Sequence, residues 1–260
     1  MDIELHGAGR AAGALGLAAV RSGHTITSVH GRSERSRDDL ASLLQPSGGV
    51  PELRIIAVSD DAIADVAEAL AGEASVPTVH VSGSVTVDVL APLAGAPIGS
   101  FHPLQTLPDP EAGAARLAGA WIAVTADEPF ASVLHELELS LGPRPFRLAD
   151  ADKPLYHAAA AASANFTLAA LALAERLAAE AGVPFEATRP LVDAIVANAF
   201  TLGPGAALTG PIARGDVGTV ERQIAAVTER TPGELATFRD MARATARIAG
   251  ASDAVRGAIE

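Results

Sequence analysis

Ile3-Glu4-Leu5-His6-Gly7-Ala8-Gly9-Arg10-Ala11-Ala12 decides how this chain folds. A short apolar run ends in G-x-G-x-x-A, and an alanine-rich amphipathic run follows directly. That order is strand, phosphate-binding turn and helix, the opening of a Rossmann unit. Gly7 permits the tight turn, and Gly9 lets the backbone come close to a pyrophosphate. Ala12 lets the helix pack near the strand, while Arg10 opens the helix whose first N–H groups face an anion.

Working outward, strand-like runs recur at Thr25 to Val29, Arg54 to Val58, Thr78 to Val81, Ile98 to Phe101, Trp121 to Thr125 and Pro145 to Leu148. Helical runs such as Arg10 to Ser22, Asp60 to Ala71 and Pro129 to Leu141 alternate with them, the pattern of a parallel sheet with crossover helices. After about residue 150 the strand signal stops. Apolar residues then recur at helical spacing through Leu155 to Ala181, Pro184 to Leu202 and Val217 to Glu260. The expectation is an α/β Rossmann domain over 1–150 and an all-helical domain for substrate and dimerisation over 151–260.

The second strand exits through His30-Gly31-Arg32-Ser33-Glu34-Arg35-Ser36-Arg37. An NAD site places an acid at this tip for the ribose 2'-hydroxyl, and none stands here. Arg32, Ser33 and Arg37 offer the charge and donors that a 2'-phosphate takes, so the expected cofactor is NADP(H). Ser33 is equally suited to capping a helix. Ser59 and Ser82 stand at later strand ends, where nucleotide ligands gather, and so does the turn bearing His102 and Gln105. The last two suit a carboxylate or carbonyl of a small substrate; bonding within their own turn is the alternative.

Of nineteen basic residues only Lys153 is lysine, the one that can release a proton readily. It opens the first long helix of the second half, followed by Tyr156 and His157. Positions 153, 157, 161 and 165 recur every four residues, so Lys153, His157 and Asn165 are expected to share a face. Reducing a C=O or C=N bond needs a proton donor at the heteroatom, and Lys153 or His157 can serve. A solvated lysine and a packed histidine are the plain alternatives.

Bulk composition narrows the rest. A net charge of -12 with 3% aromatic residues disfavours nucleic acid as a partner. No cysteine is present and the histidines show no metal-ligand spacing, so no metal is expected. The most apolar helical stretch, Thr167 to Ala174, ends at Glu175 and Arg176, which predicts no membrane partner. With no leader-like start, a cytoplasmic location is expected. Long apolar helix faces predict a homodimer.

The fingerprint, Ser100-Phe101-His102-Pro103-Leu104-Gln105-Thr106, Tyr156-His157-Ala158-Ala159 with Asn165, and Leu208 to Asp216 together resemble a Rossmann-like family whose helical C-terminal domain has no known function. That family is related to 6-phosphogluconate dehydrogenase, pyrroline-5-carboxylate reductase and ketopantoate reductase. The resemblance implies NADPH-dependent reduction of a small 2-oxo acid or cyclic imino acid. It suggests Lys153 and Asn165 as the catalytic pair, although here they stand twelve apart rather than four, which leaves His157 a rival to Lys153. Arg214 is a candidate for a substrate carboxylate, with pairing to Asp216 as its alternative. A non-catalytic NADP(H) sensor or assembly module and a deazaflavin-dependent NADP reductase are the competing readings.

Overall fold

The computed structural model describes residues 1–73, 75–93 and 95–260. The chain divides into two compact units, Met1–Ala160 and Ala161–Glu260. The break falls after residue 160, so Lys153, Tyr156 and His157 go with the sheet.

In the first unit the strands are β1 (Asp2–His6), β2 (Thr25–His30), β3 (Leu53–Ile56), β4 (Thr78–His80), β5 (Ile98–Leu104), β6 (Trp121–Ala126) and β7 (Arg144–Arg147). The helices are α1 (Arg10–Arg21), α2 (Glu34–Leu44), α3 (Ile63–Ala69), α4 (Pro110–Leu117), α5 (Phe130–Leu141) and the start of α6 (Lys153–Ala161). The sheet order is β2-β1-β3-β4-β5-β6-β7. The chain leaves β1 for one neighbour and returns to pair on its other side. This creates a switch point above β1 and β3, where a crevice opens outside the strand ends.

Every strand expected from the sequence is present, but the sheet is not wholly parallel. β5 and β6 run antiparallel, with Leu104 opposite Trp121. Helix α4, only eight residues long, packs on α1, where Gly13 meets Pro110 and Gly113 meets Ala14. Because β6 starts opposite the last residue of β5, the chain re-enters the sheet beside the exit it has just left.

The main core lies between the sheet and α1, α2, α4 and α5, around Ile3, Leu5, Leu15, Phe101, Ile122 and Leu134. A smaller cluster, Ile56, Ile63, Ala67, Leu70, Leu90 and Leu93, seats α3 on the other face. Each fully buried Leu or Ile contributes roughly 1.5–3 kcal/mol.

The second unit contains α7 (Thr167–Glu180), α8 (Arg189–Leu202), the short α9 (Pro204–Ala207) and α10 (Pro211–Arg214), then α11 (Val217–Arg230), α12 (Leu235–Ala249) and α13 (Asp253–Ile259). Its core joins α11, α12 and α13 through Val220, Ile224, Ala242, Ala246, Val255 and Ile259. Helix α8 buries no residue, and Leu191, Val196, Phe200 and Leu202 are exposed, Phe200 by 91%.

One expectation about the long helix changes. Residues Ala162–Phe166 form a π turn between α6 and α7. Its wider i→i+5 winding breaks the four-residue stripe before Asn165, which no longer follows in phase from Lys153, His157 and Ala161. Helical residues continue over Asp150–Glu180, as the Leu155 to Ala181 run predicts, and this stretch is long and apolar enough to cross a membrane by length and composition alone.

Candidate active site and cofactor cavity

Gly7 occupies φ +130°, and a Cβ there would lie 2.2 Å from the Ala57 carbonyl oxygen. The constraint is local: Ala57 N donates to His6 O at 2.6 Å, and Gly7 N donates to His30 O at 2.8 Å. These bonds bring β1, β2 and β3 together at the turn. Gly9 is the cap of α1 and has open space where a Cβ would stand. Ala12 is fully buried against the sheet. Glycine and alanine thus leave the first-turn N–H groups of α1 facing an open crevice.

That crevice is a cavity of about 930 Å³ in the first unit. Gly7, Gly9 and Arg10 line one part, with His6, His30 and Arg32 beside it; Ser59, Ala62 and Val66 form another wall, and His102 and Gln105 stand at the far part. The size suits a large cofactor.

The arginines expected to share one role divide. Arg37 pairs with Asp38 at 3.1 Å and Arg35 with Asp39 at 3.9 Å. Arg32 lines the cavity and shows no ion pair among the described residues. Ser33 caps α2, its oxygen accepting from Ser36 N at 3.3 Å. Ser82 is buried and turned inward. Its hydroxyl accepts from the backbone of Ser84 and Val85, and its own N–H donates to His80 Nδ1. Ser59 remains on the cavity wall without a side-chain capping bond.

At the far part, His102 is held from two sides. Its Nδ1 lies 2.7 Å from the Tyr156 hydroxyl, and its ring covers Gly83, where a Cβ would come within 2.8 Å. Burial first, then the nearby His157 and Lys153, lowers its pKa to about 4. Burial raises that of Tyr156 to about 12. The tyrosine therefore stays protonated beside a neutral ring, and the tautomer in which its O–H donates a hydrogen bond to Nδ1 presents Nε2–H as the donor of His102. Gln105 also lines the cavity, its Oε1 accepting from Thr106 N at 2.8 Å.

Lys153 is 1% exposed and donates to Ser100 Oγ at 2.5 Å. Burial lowers its pKa to about 8, against the opposing pull of Asp150 and Asp60. His80, also buried, is lowered to about 3, by burial first and Lys153 second. His157 is exposed, with its ring centroid 6.2 Å from that of His102. Neither Lys153 nor His157 is among the residues lining the cavity.

Asn165 and Arg214 belong to the second unit. Asn165 is exposed in the π turn, and Arg214 is exposed at the end of α10. Asp216 caps α11 by accepting from Thr219 N at 3.0 Å.

The sequence reading did not assign roles to Ser100, His80 or Tyr156. Tyr156 is the chain's one tyrosine, a usable signal; the other two are ordinary strand residues joined to Lys153 only by the fold. Tyr156 also belongs to a row of rings. Trp121 and Phe146 lie 6.2 Å apart, Phe146 and Tyr156 5.8 Å, and Tyr156 and His102 5.5 Å, while Arg144 sits 5.9 Å over Trp121.

The sheet order, the turn at the switch point and the helical second unit define a Rossmann-like protein with a helical C-terminal unit. Residues 120–245 match the family described as "Domain of unknown function (DUF2520)". No curated protein matches the sequence significantly. Among solved structures, the chain is similar to BF3122 of Bacteroides fragilis, described as a candidate NADP oxidoreductase, with 24% identity and a TM-score of 0.80 over 95% of this chain and 98% of that one. An imine reductase from Myxococcus stipitatus in complex with NADP+ shares 16% identity at a TM-score of 0.67, covering 99% of each chain. The 1-pyrroline-5-carboxylate reductase of Streptococcus pyogenes shares 18% at 0.62, covering 100% of this chain and 96% of that one.

Proposed function

We propose that this protein is an NADP(H)-dependent reductase of a small 2-oxo acid or cyclic imino acid. One observation carries the reading: a single cavity joins the Gly7–Gly9 turn and Arg32, which has no ion pair among the described residues, to a neutral His102 whose Nδ1 is already engaged. The names of the structural neighbours, an imine reductase and a pyrroline-5-carboxylate reductase among them, point the same way.

The open face of Gly9 and the N-terminus of α1 fit a pyrophosphate, and Arg32 fits the 2'-phosphate that separates NADP(H) from NAD(H). When bound, the reduced nicotinamide supplies hydride. His102 Nε2–H supplies a hydrogen bond to the substrate heteroatom, and Tyr156 fixes the tautomer that makes this donor available. Lys153 acts through Ser100 and, by its charge, helps to keep His80 and His102 neutral.

Titration of the protein with NADPH and NADH, followed by nucleotide fluorescence, tests the cofactor. NADPH is expected to bind more tightly, and Arg32→Ala to weaken NADPH about 10- to 100-fold while changing NADH little, as loss of a charge-assisted bond predicts. Equal affinities in the wild type would overturn the assignment. The competing reading, a nucleotide-binding module without turnover, draws on the burial of Lys153 away from the cavity wall. Consumption of NADPH at 340 nm with any oxo or imino acid decides against it.

The exposed apolar residues of α7 and α8, Leu168, Leu191, Val196 and Phe200, support a homodimer through the second unit. Light scattering should give twice the chain mass, and Phe200→Ser with Leu191→Ser should shift it toward the monomer.

A further inference from the structure

We propose that Glu4, His6 and His30 form a site for a divalent transition cation of the zinc or cobalt type, at the heads of β1 and β2. A register shift between Ile3 and Glu4 sets Glu4 beside Ser28 and His6 beside His30. The four side chains consequently meet on one face of the sheet. His30 Nε2 lies 3.0 Å from Glu4 Oε1, and His6 Nε2 lies 3.5 Å from the same oxygen. The three ligand atoms all fall within 4.8 Å of one another.

A tetrahedral zinc ion with N and O bonds of about 2.0–2.2 Å holds its ligand atoms roughly 3.3–3.5 Å apart. Two of the three separations here are already within a few tenths of an ångström of that. His6 Nε2 is buried and has no hydrogen-bond partner among the described residues, so the present contacts leave one inward-facing nitrogen unsatisfied. A cation would satisfy it. The rings of His6 and His30 are stacked, with centroids 4.3 Å apart and planes 9° apart; each imidazole lone pair lies in its own ring plane, so the half-exposed His30 ring turns out of the stack when both nitrogens bind one ion.

The surroundings hold the ligands in place. Arg54, itself buried, donates from Nε to Glu4 Oε2 at 2.6 Å and from a terminal nitrogen to Glu73 at 3.1 Å. It fixes the carboxylate by the oxygen that the cation does not need, the part an outer partner plays in metal sites. Glu73 offsets the charge of Arg54. Two imidazoles and a carboxylate favour zinc, cobalt, nickel or copper over magnesium or calcium. His6 and His30 also line the cavity, so a remaining coordination position opens toward it and takes water or a ligand donor atom.

Tag-free, chelator-treated protein titrated with Co²⁺ in the absence of nucleotide tests this, followed by visible absorption and by displacement with Zn²⁺. The expected result is saturation at one cation per chain, with a ligand-field spectrum. His30→Gln and His6→Gln should each weaken uptake about tenfold or more. His30 is half-exposed, so His30→Gln keeps its fold and decides the matter if His6→Gln does not fold. Absence of saturable uptake, or uptake that survives His30→Gln, overturns the proposal. Because no nucleotide is present, the outcome is separate from that of the cofactor titration.

Discussion

The two parts of the cavity are built from different materials. Around Gly7 and Gly9 the walls are backbone and small side chains, fixed by short main-chain bonds among β1, β2 and β3. Around His102 the wall is backed by ionisable side chains, Tyr156, Lys153 and His80 among them, which burial drives away from their ordinary pKa values. The first construction gives shape and the second gives chemistry. A change in the first should therefore act on binding and folding, and one in the second on pH response and turnover.

The largest test of this contrast is Gly7→Ala. The positive φ and a Cβ placed against the Ala57 carbonyl should cost on the order of 3 kcal/mol or more of folding stability, read by urea denaturation, and should abolish NADPH binding. A stable variant with normal affinity would break the comparison.

Lys153→Met is next. The folded pKa of Lys153 is lowered from 10.5 to about 8. Below pH 8 the folded and unfolded chains both hold the proton, and the cost of burying the ammonium is felt in full. Between pH 8 and 10 the unfolded chain keeps a proton that the folded chain has released, so wild-type stability should rise with pH through Lys153, by up to about 3 kcal/mol. The methionine variant should lose that rise when urea midpoints are compared at pH 8 and pH 10. An identical rise in both proteins would mean that Lys153 is charged and well solvated in the fold.

Tyr156→Phe is the smallest and sharpens the contrast most. Removing the hydroxyl leaves His102 Nδ1 without its partner, a loss of about 1 kcal/mol. Turnover should fall several-fold while NADPH affinity stays at the wild-type value. A change in affinity alone would assign His102 to cofactor binding rather than to the substrate.

The same contrast explains what the sequence disclosed. The Gly7 turn, the seven strands and the helical second half follow from local rules, glycine spacing and apolar periodicity, that operate within a few residues. The Lys153–Ser100 bond spans 53 positions and the His102–Tyr156 bond spans 54, and no local pattern encodes either. Uniqueness drew attention to Lys153, but the fold turned it inward and put His102 on the cavity wall. The Asn165 stripe failed for a physical reason: a helix face projected from α-helical spacing does not pass through a π turn in phase. Glu4, His6 and His30 show no ligand spacing along the chain, because they meet only through the pairing of neighbouring strands.

The row of rings from Trp121 through Phe146 and Tyr156 to His102 gives the protein an optical handle. Trp121 is the chain's sole indole and 49% exposed, so its emission is a single-source signal. Tyr156, also the only one of its kind, lies two ring contacts away, close enough to pass absorbed energy to that indole. Excitation at a wavelength that favours the phenol, compared with one that favours the indole, therefore reads the separation and orientation of Tyr156 and Trp121. A ligand that displaces Tyr156 as it engages His102 can be followed in the native chain without a dye.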